Sequence, residues 1–122
     1  MQKRVWTSII ENLKQEHELT DYQLNVLSTQ LKLLKNNKII YPGHWKSLLN
    51  VKMEQAYEIL ELIKAMGYLE VVYEIKCSRC HQEGIIIRNI REFEKYSVCD
   101  ICNKELNFMD NTIRIFMVIN SD

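Results

Sequence analysis

The residues best placed to do chemistry in this 122-residue chain are its four cysteines, which fall as two C-x2-C pairs. Cys77-Ser78-Arg79-Cys80 and Cys99-Asp100-Ile101-Cys102 are separated by eighteen residues. A C-x2-C loop can turn both of its thiolates toward one point, and two such loops complete a tetrahedron of sulfur around one ion. The spacing therefore predicts a single structural Zn2+ ligated by Cys77, Cys80, Cys99 and Cys102. Four thiolates close the coordination shell and leave no position for a reactive water. Such a site contributes folding free energy on the order of 10–16 kcal/mol at neutral pH.

A redox pair of the thioredoxin kind needs only one C-x2-C beside a strand-to-helix turn, whereas here two pairs stand in strand-like sequence. Structural disulfides imply secretion, yet Met1-Gln2-Lys3-Arg4-Val5-Trp6 leads into an amphipathic pattern rather than a signal-peptide core. His81 directly follows the first pair and is a candidate substitute ligand. The position after C-x2-C often takes positive φ, where His and Asn are enriched, and Asn103 holds the matching place after the second pair. That backbone role accounts for both residues.

Other reactive arrangements are missing from the sequence. His17, His44 and His81 stand in unrelated segments without a nucleophile partner, and Gly43, Gly67 and Gly84 are too dispersed to form a phosphate loop. Neither a G-x-S-x-G elbow nor an H-E-x-x-H helix occurs. No catalytic residues are expected, and the chain reads as a binding protein rather than an enzyme. Apolar residues make up 47% and charged residues 26%, ordinary proportions for a folded chain. No apolar run approaches the roughly 20 residues that span a membrane, and reduced cysteines make the cytoplasm the expected compartment. Sixteen basic residues balance sixteen acidic ones. Zinc on four thiolates shifts this balance to about −2, whereas a clamp on a nucleic-acid backbone usually carries a basic excess.

The elements that must position these residues begin with a helix over about Lys3 to Glu16, where Trp6, Ile9, Ile10 and Leu13 make an apolar stripe. Thr20 and Gln23 form a capping-box pattern, with Leu19 and Leu24 placed as its hydrophobic staple. Leu24, Leu27, Leu31 and Leu34 then alternate steps of three and four, as one wall of a small core or a short coiled-coil seam. Lys32, Lys35 and Lys38 read as a solvated face near the helix end. Tyr41-Pro42-Gly43 breaks the pattern before a short third helix from His44 to Leu49.

Leu49-Asn50-Val51 is followed by Ala56, Leu60 and Ile63, and then by Gly67-Tyr68-Leu69, with Trp45 one turn before Leu49. In type and offset these residues resemble the winged helix-turn-helix family over roughly His44 to Lys76. Asn50 stands where that family usually has a turn glycine, and Asn accepts the left-handed region better than most residues. Gly67 suits a helix C′ position for the same steric reason. Leu69 to Lys76 reads as a strand that runs directly into Cys77, so the cysteine-bearing segment, similar to a zinc ribbon, grows out of the wing. The fold expected is α+β: a helical winged helix-turn-helix domain over 1–76 continuing into a small antiparallel zinc ribbon over 77–122.

The helix that reads DNA in that family has an unusual outward face here. Ala56, Ile59, Leu60 and Ile63 face inward, leaving Glu54, Glu58 and Glu61 on the opposite side. Carboxylates there repel phosphates, although Lys52, Gln55 and Tyr57 flank them. These six residues are the candidate partner-binding set. Ile85-Ile86-Ile87 predicts a ribbon strand, and Phe93, Tyr96 and Val98 lead to the second cysteine pair. Arg79, Arg88, Arg91 and Lys95 alternate with Glu83, Glu92 and Glu94, so the spacer is charged without being basic. After a turn at Asp110-Asn111, the run Ile115 to Ile119 implies a strand buried on both faces, by pairing with Val71 to Ile75 or by an interface with another chain.

Two functional readings follow. In the first, the chain is a non-enzymatic protein-docking adaptor in a complex that handles nucleic acid, an architecture similar to that of archaeal transcription factor E. In the alternative, it is a DNA-binding transcriptional regulator, a homodimer through its second helix or last strand. Neutral charge and the acidic face favour a protein partner over DNA.

Overall fold

A computed structural model describes residues 1–77 and 84–122. The described chain is α+β. Its elements in order are α1 (Lys3–Glu16), α2 (Asp21–Leu33), β1 (Ile39–Ile40), α3 (Pro42–Leu49), α4 (Met53–Ala65), β2 (Leu69–Ile75), β3 (Ile85–Ile87), a 3-10 helix (Ile90–Tyr96), α5 (Phe108–Asn111) and β4 (Thr112–Val118). The strands form one sheet of order β1-β4-β2-β3. None of these helices is long and apolar enough to cross a membrane.

The chain separates into two units, residues 1–70 with 116–122 and residues 71–115. The first is built from the four long helices. α1 buries Val5, Ile9, Ile10 and Leu13, the stripe its periodicity predicts except that Val5 replaces Trp6. Trp6 lies half-exposed under the Lys32 ammonium, 4.8 Å from the ring centre. At the start of α2 the Thr20 hydroxyl accepts the Gln23 N–H at 3.1 Å, and the Gln23 side chain accepts the Thr20 N–H at 2.9 Å. The capping box is therefore complete, and Gln23 does more than close it. Its amide also donates to the Leu49 carbonyl at 2.9 Å, tying the start of α2 to the end of α3. Leu27 and Leu31 are buried in α2, but the helix stops at Leu33 and Leu34 is buried as the residue just beyond it. The leucine row is thus a wall of this core.

α3 begins two residues earlier than its spacing predicts, because Pro42 lacks an N–H and has φ preset for a first helical turn. Asn50 ends it at φ 53° in the left-handed region. Asn37, Asn103 and Asn120 also have positive φ, so asparagine does the work at four turns in a chain with three glycines. In α4, Ala56, Ile59, Leu60 and Ile63 are fully buried, as the sequence pattern requires. Gly67 follows at φ 94°. β1 is a two-residue strand that local patterning does not reveal. It pairs antiparallel with β4, Ile39 opposite Met117 and Ile40 opposite Phe116. Bonds of 2.8 and 2.9 Å link Asn37 N–H to Val118 C=O and Val118 N–H to Lys38 C=O beside this pairing.

β2 and β4 are neighbours, with Tyr68 C=O accepting Ile119 N–H at one end and Asn111 C=O accepting Lys76 N–H at the other. Those pairings run in opposite chain directions, so the two strands are antiparallel. Ile115, Phe116, Met117 and Val118 are all buried, which supplies the two-sided burial expected for this strand within a single chain. The second unit has a thinner interior. Tyr73, Phe93 and Phe108 make an aromatic trio, with edge-on contacts of 5.2 Å between Tyr73 and Phe108 and 5.6 Å between Phe93 and Phe108.

Candidate functional site

Each described cysteine is placed by a short, well-bonded element. Cys77 follows the end of β2, where the preceding residue, Lys76, is held from both sides of its peptide. Its N–H donates to the Asn111 carbonyl at 2.8 Å, and its carbonyl accepts the Asn111 side-chain amide at 3.1 Å. The Asn111 side-chain oxygen accepts the Asn107 N–H at 2.8 Å, so one buried amide binds the strand end to the start of α5. A buried amide satisfied in this way fixes backbone position, because leaving any of its groups unpaired is costly. The sequence marks Asp110-Asn111 only as a turn. A helical turn, Phe108–Asn111, occupies that place, and the reach of Asn111 to Lys76 has no local signature.

Cys99 and Cys102 sit on a tight hairpin. Leu106 N–H donates to Ser97 C=O at 2.7 Å, Val98 bridges Glu105, and Cys99 N–H donates to Lys104 C=O at 2.9 Å. The loop then closes with Asn103 N–H donating to Cys99 C=O at 2.8 Å. Asn103 takes φ 57°, the left-handed turn expected of the residue after the second pair. This turn folds Cys102 back over Cys99. The sulfurs of Cys77, Cys99 and Cys102 all lie within 4.8 Å of one another, and those of Cys77 and Cys102 are 3.6 Å apart. No disulfide joins any of the three. Cys77 and Cys99 are buried and Cys102 is partly exposed. This cluster could hold a metal ion. Cys80, predicted as the fourth ligand, and His81 lie outside the described residues.

The six residues predicted to bind a partner all lie at α4. Lys52 is its N-cap, and Glu54, Gln55, Tyr57, Glu58 and Glu61 follow within the helix. Glu54 and Glu58 are exposed, and Glu61 is half-exposed with Lys64 3.6 Å away. Glu54, Tyr57, Glu58 and Glu61 line one side of a recess of about 760 Å³, together with Leu62; Glu16 and His17 at the end of α1 line the other. A smaller recess of about 340 Å³ adjoins it, lined by His17, Lys52, Glu54, Gln55 and Glu58. The stripe is therefore one wall of a concave surface. α1 contributes the opposite wall, which helical periodicity in α4 does not disclose. Tyr57 packs its ring 6.4 Å from that of Phe116, at an angle of 57°.

A second recess with the opposite character lies in the other unit. Arg88, Asn89 and Arg91 line it with Val71, Tyr73 and Ile90, over an open volume of about 540 Å³.

No protein-family model, no curated protein and no solved structure matches this chain.

Proposed function

We propose that this chain is a winged helix-turn-helix continuing into a four-cysteine zinc ribbon, and that it works without catalysis as a protein-docking adaptor in a complex that handles nucleic acid. The metal is taken to be zinc on the chemistry of the donors. Thiolates suit a tetrahedral zinc site, and bonds near 2.3 Å separate neighbouring sulfurs by about 3.8 Å. The 3.6 Å between the Cys77 and Cys102 sulfurs fits that edge. Cys80 is the proposed fourth ligand by sequence spacing. With all four in place, the zinc is structural and holds the ribbon segments together.

The acidic outward face of α4 carries the docking reading. In a DNA-reading helix this face meets phosphates and base edges, where Arg, Lys, Asn and Gln serve. Here Glu54, Glu58 and Glu61 share the recess with Glu16. Formal neutrality of the chain adds no attractive field to offset them. The alternative, a DNA-binding regulator, draws on the arginine recess beside Tyr73.

Duplex affinity measured against salt separates the two. The zinc-loaded protein is expected to bind duplex DNA weakly and without sequence preference, with Kd around 10⁻⁴–10⁻⁶ M at physiological salt. A tight, sequence-selective complex with a steep salt slope would refute the adaptor reading.

A further inference from the structure

We propose that the recess between the end of α1 and the outward face of α4 receives a helical segment of a partner protein that carries lysine or arginine beside an apolar anchor. This inference rests on the docking reading and adds the chemistry of the occupant.

Three features of the recess define that chemistry. It is a broad, open recess of about 760 Å³. Tyr57 and Leu62 provide apolar area on α4, and four carboxylates line the recess with them, those of Glu16, Glu54 and Glu58 and that of Glu61, which is paired with Lys64. Such a surface matches an apolar anchor flanked by cations, the arrangement of a basic amphipathic helix seated in a groove. Glu54 and Glu58 are four residues apart on one helix, about 6 Å along its axis. Basic side chains at i and i+4 on a docked helix have the same rise and can face both.

The wall that presents these groups is firmly seated. Ala56, Ile59, Leu60 and Ile63 bury the opposite side of α4 completely, and Tyr57 is braced against Phe116. A preorganised aromatic with few rotatable bonds makes an efficient anchor point, because little side-chain entropy remains to be lost. Nucleic acid is disfavoured by the same carboxylates, and a simple cation or polyamine would leave the apolar area uncovered.

The test uses the zinc-loaded full chain and three synthetic peptides. The first is a Lys/Leu amphipathic helix with lysines at i and i+4, the second replaces lysine by glutamate, and the third replaces leucine by serine. Binding is followed by fluorescence anisotropy, and the site by NMR shift mapping. The Lys/Leu peptide is expected to bind best and to shift His17, Tyr57 and Leu62. Reversing the exposed pair, Glu54→Lys with Glu58→Lys, should weaken it roughly tenfold or more. Tyr57→Ala should weaken it roughly fivefold or more. Reversing two exposed carboxylates of the other unit, Glu94→Lys with Glu105→Lys, should change it by no more than about twofold. Thermal melts confirm that each variant is folded.

Equal losses in both charge-reversed variants, or equally tight binding of the glutamate or serine peptide, would overturn the proposal. Concentration-dependent self-association that shifts the same three residues without peptide would also overturn it, by assigning the recess to a second copy of the chain. In each of those outcomes the adaptor reading survives with another docking face. Only selective duplex binding removes both.

Discussion

Withdrawing the proposed zinc should melt one unit of this protein and spare the other, and strand β4 should show where the division falls. Among the described residues of 71–115, the fully apolar side chains that are buried are Val72, Ile75, Ile87 and Ile115. At roughly 1.5–3 kcal/mol each they contribute about 6–12 kcal/mol together, comparable with the ~10–16 kcal/mol of a structural zinc site. The helical unit instead buries apolar residues from all of α1 to α4 and contains none of the cysteines. The perturbation is chelator treatment of the zinc-loaded chain, or Cys99→Ser. The assay is amide hydrogen exchange resolved by residue. Protection should be lost over 71–77 and 84–115 and retained in α1 to α4. Within β4 itself, Val118 should remain protected, because its N–H is bound to Lys38 C=O at 2.9 Å, while the amides of Thr112 to Ile115 exchange freely. Elemental analysis must show about one zinc per chain before treatment and none after it. Unchanged protection over 84–115 in verified metal-free protein would refute the reasoning, since the unit would then be stable on its apolar contacts alone.

Two further perturbations test how the elements are tied. Asn111→Ala removes a buried amide that serves both Lys76 and Asn107, and should cost about 1–3 kcal/mol in denaturant unfolding of the metal-loaded protein. A loss within experimental error would show that the amide does not hold the end of β2. Gln23→Ala should cost about 1–2 kcal/mol, whereas Gln23→Glu should lose less, because a carboxylate keeps the bond from Thr20 N–H and forfeits only the donation to Leu49. Equal thermal shifts for the two variants would put the whole effect on the α3 contact.

Much of this molecule is legible in local sequence because the interactions responsible are local. The apolar stripe of α1, the Thr20–Gln23 capping box and the inward face of α4 each depend on residues a few positions apart on one element. The same holds for the left-handed turns at Asn50 and Asn103, which follow from the steric tolerance of asparagine. Cysteine spacing points to a common metal site, and the structure brings three of those sulfurs together.

What the tertiary structure decided was which distant segments meet. β1 is only two residues long and has no period to detect; it exists because Ile39 and Ile40 find Met117 and Phe116 across the sheet. Asn111 is one more turn asparagine in sequence, yet thirty-five residues separate it from the Lys76 carbonyl it holds. Glu16 and His17 carry no sign that they complete a recess with α4. The continuous apolar run of β4 announced burial on both faces but not that its two ends belong to different units. Periodicity, caps and cysteine spacing are properties of neighbours along the chain, and sequence alone determined them. Strand partners, buried clamps and concave surfaces arise between segments far apart in sequence, and only the folded chain selects them.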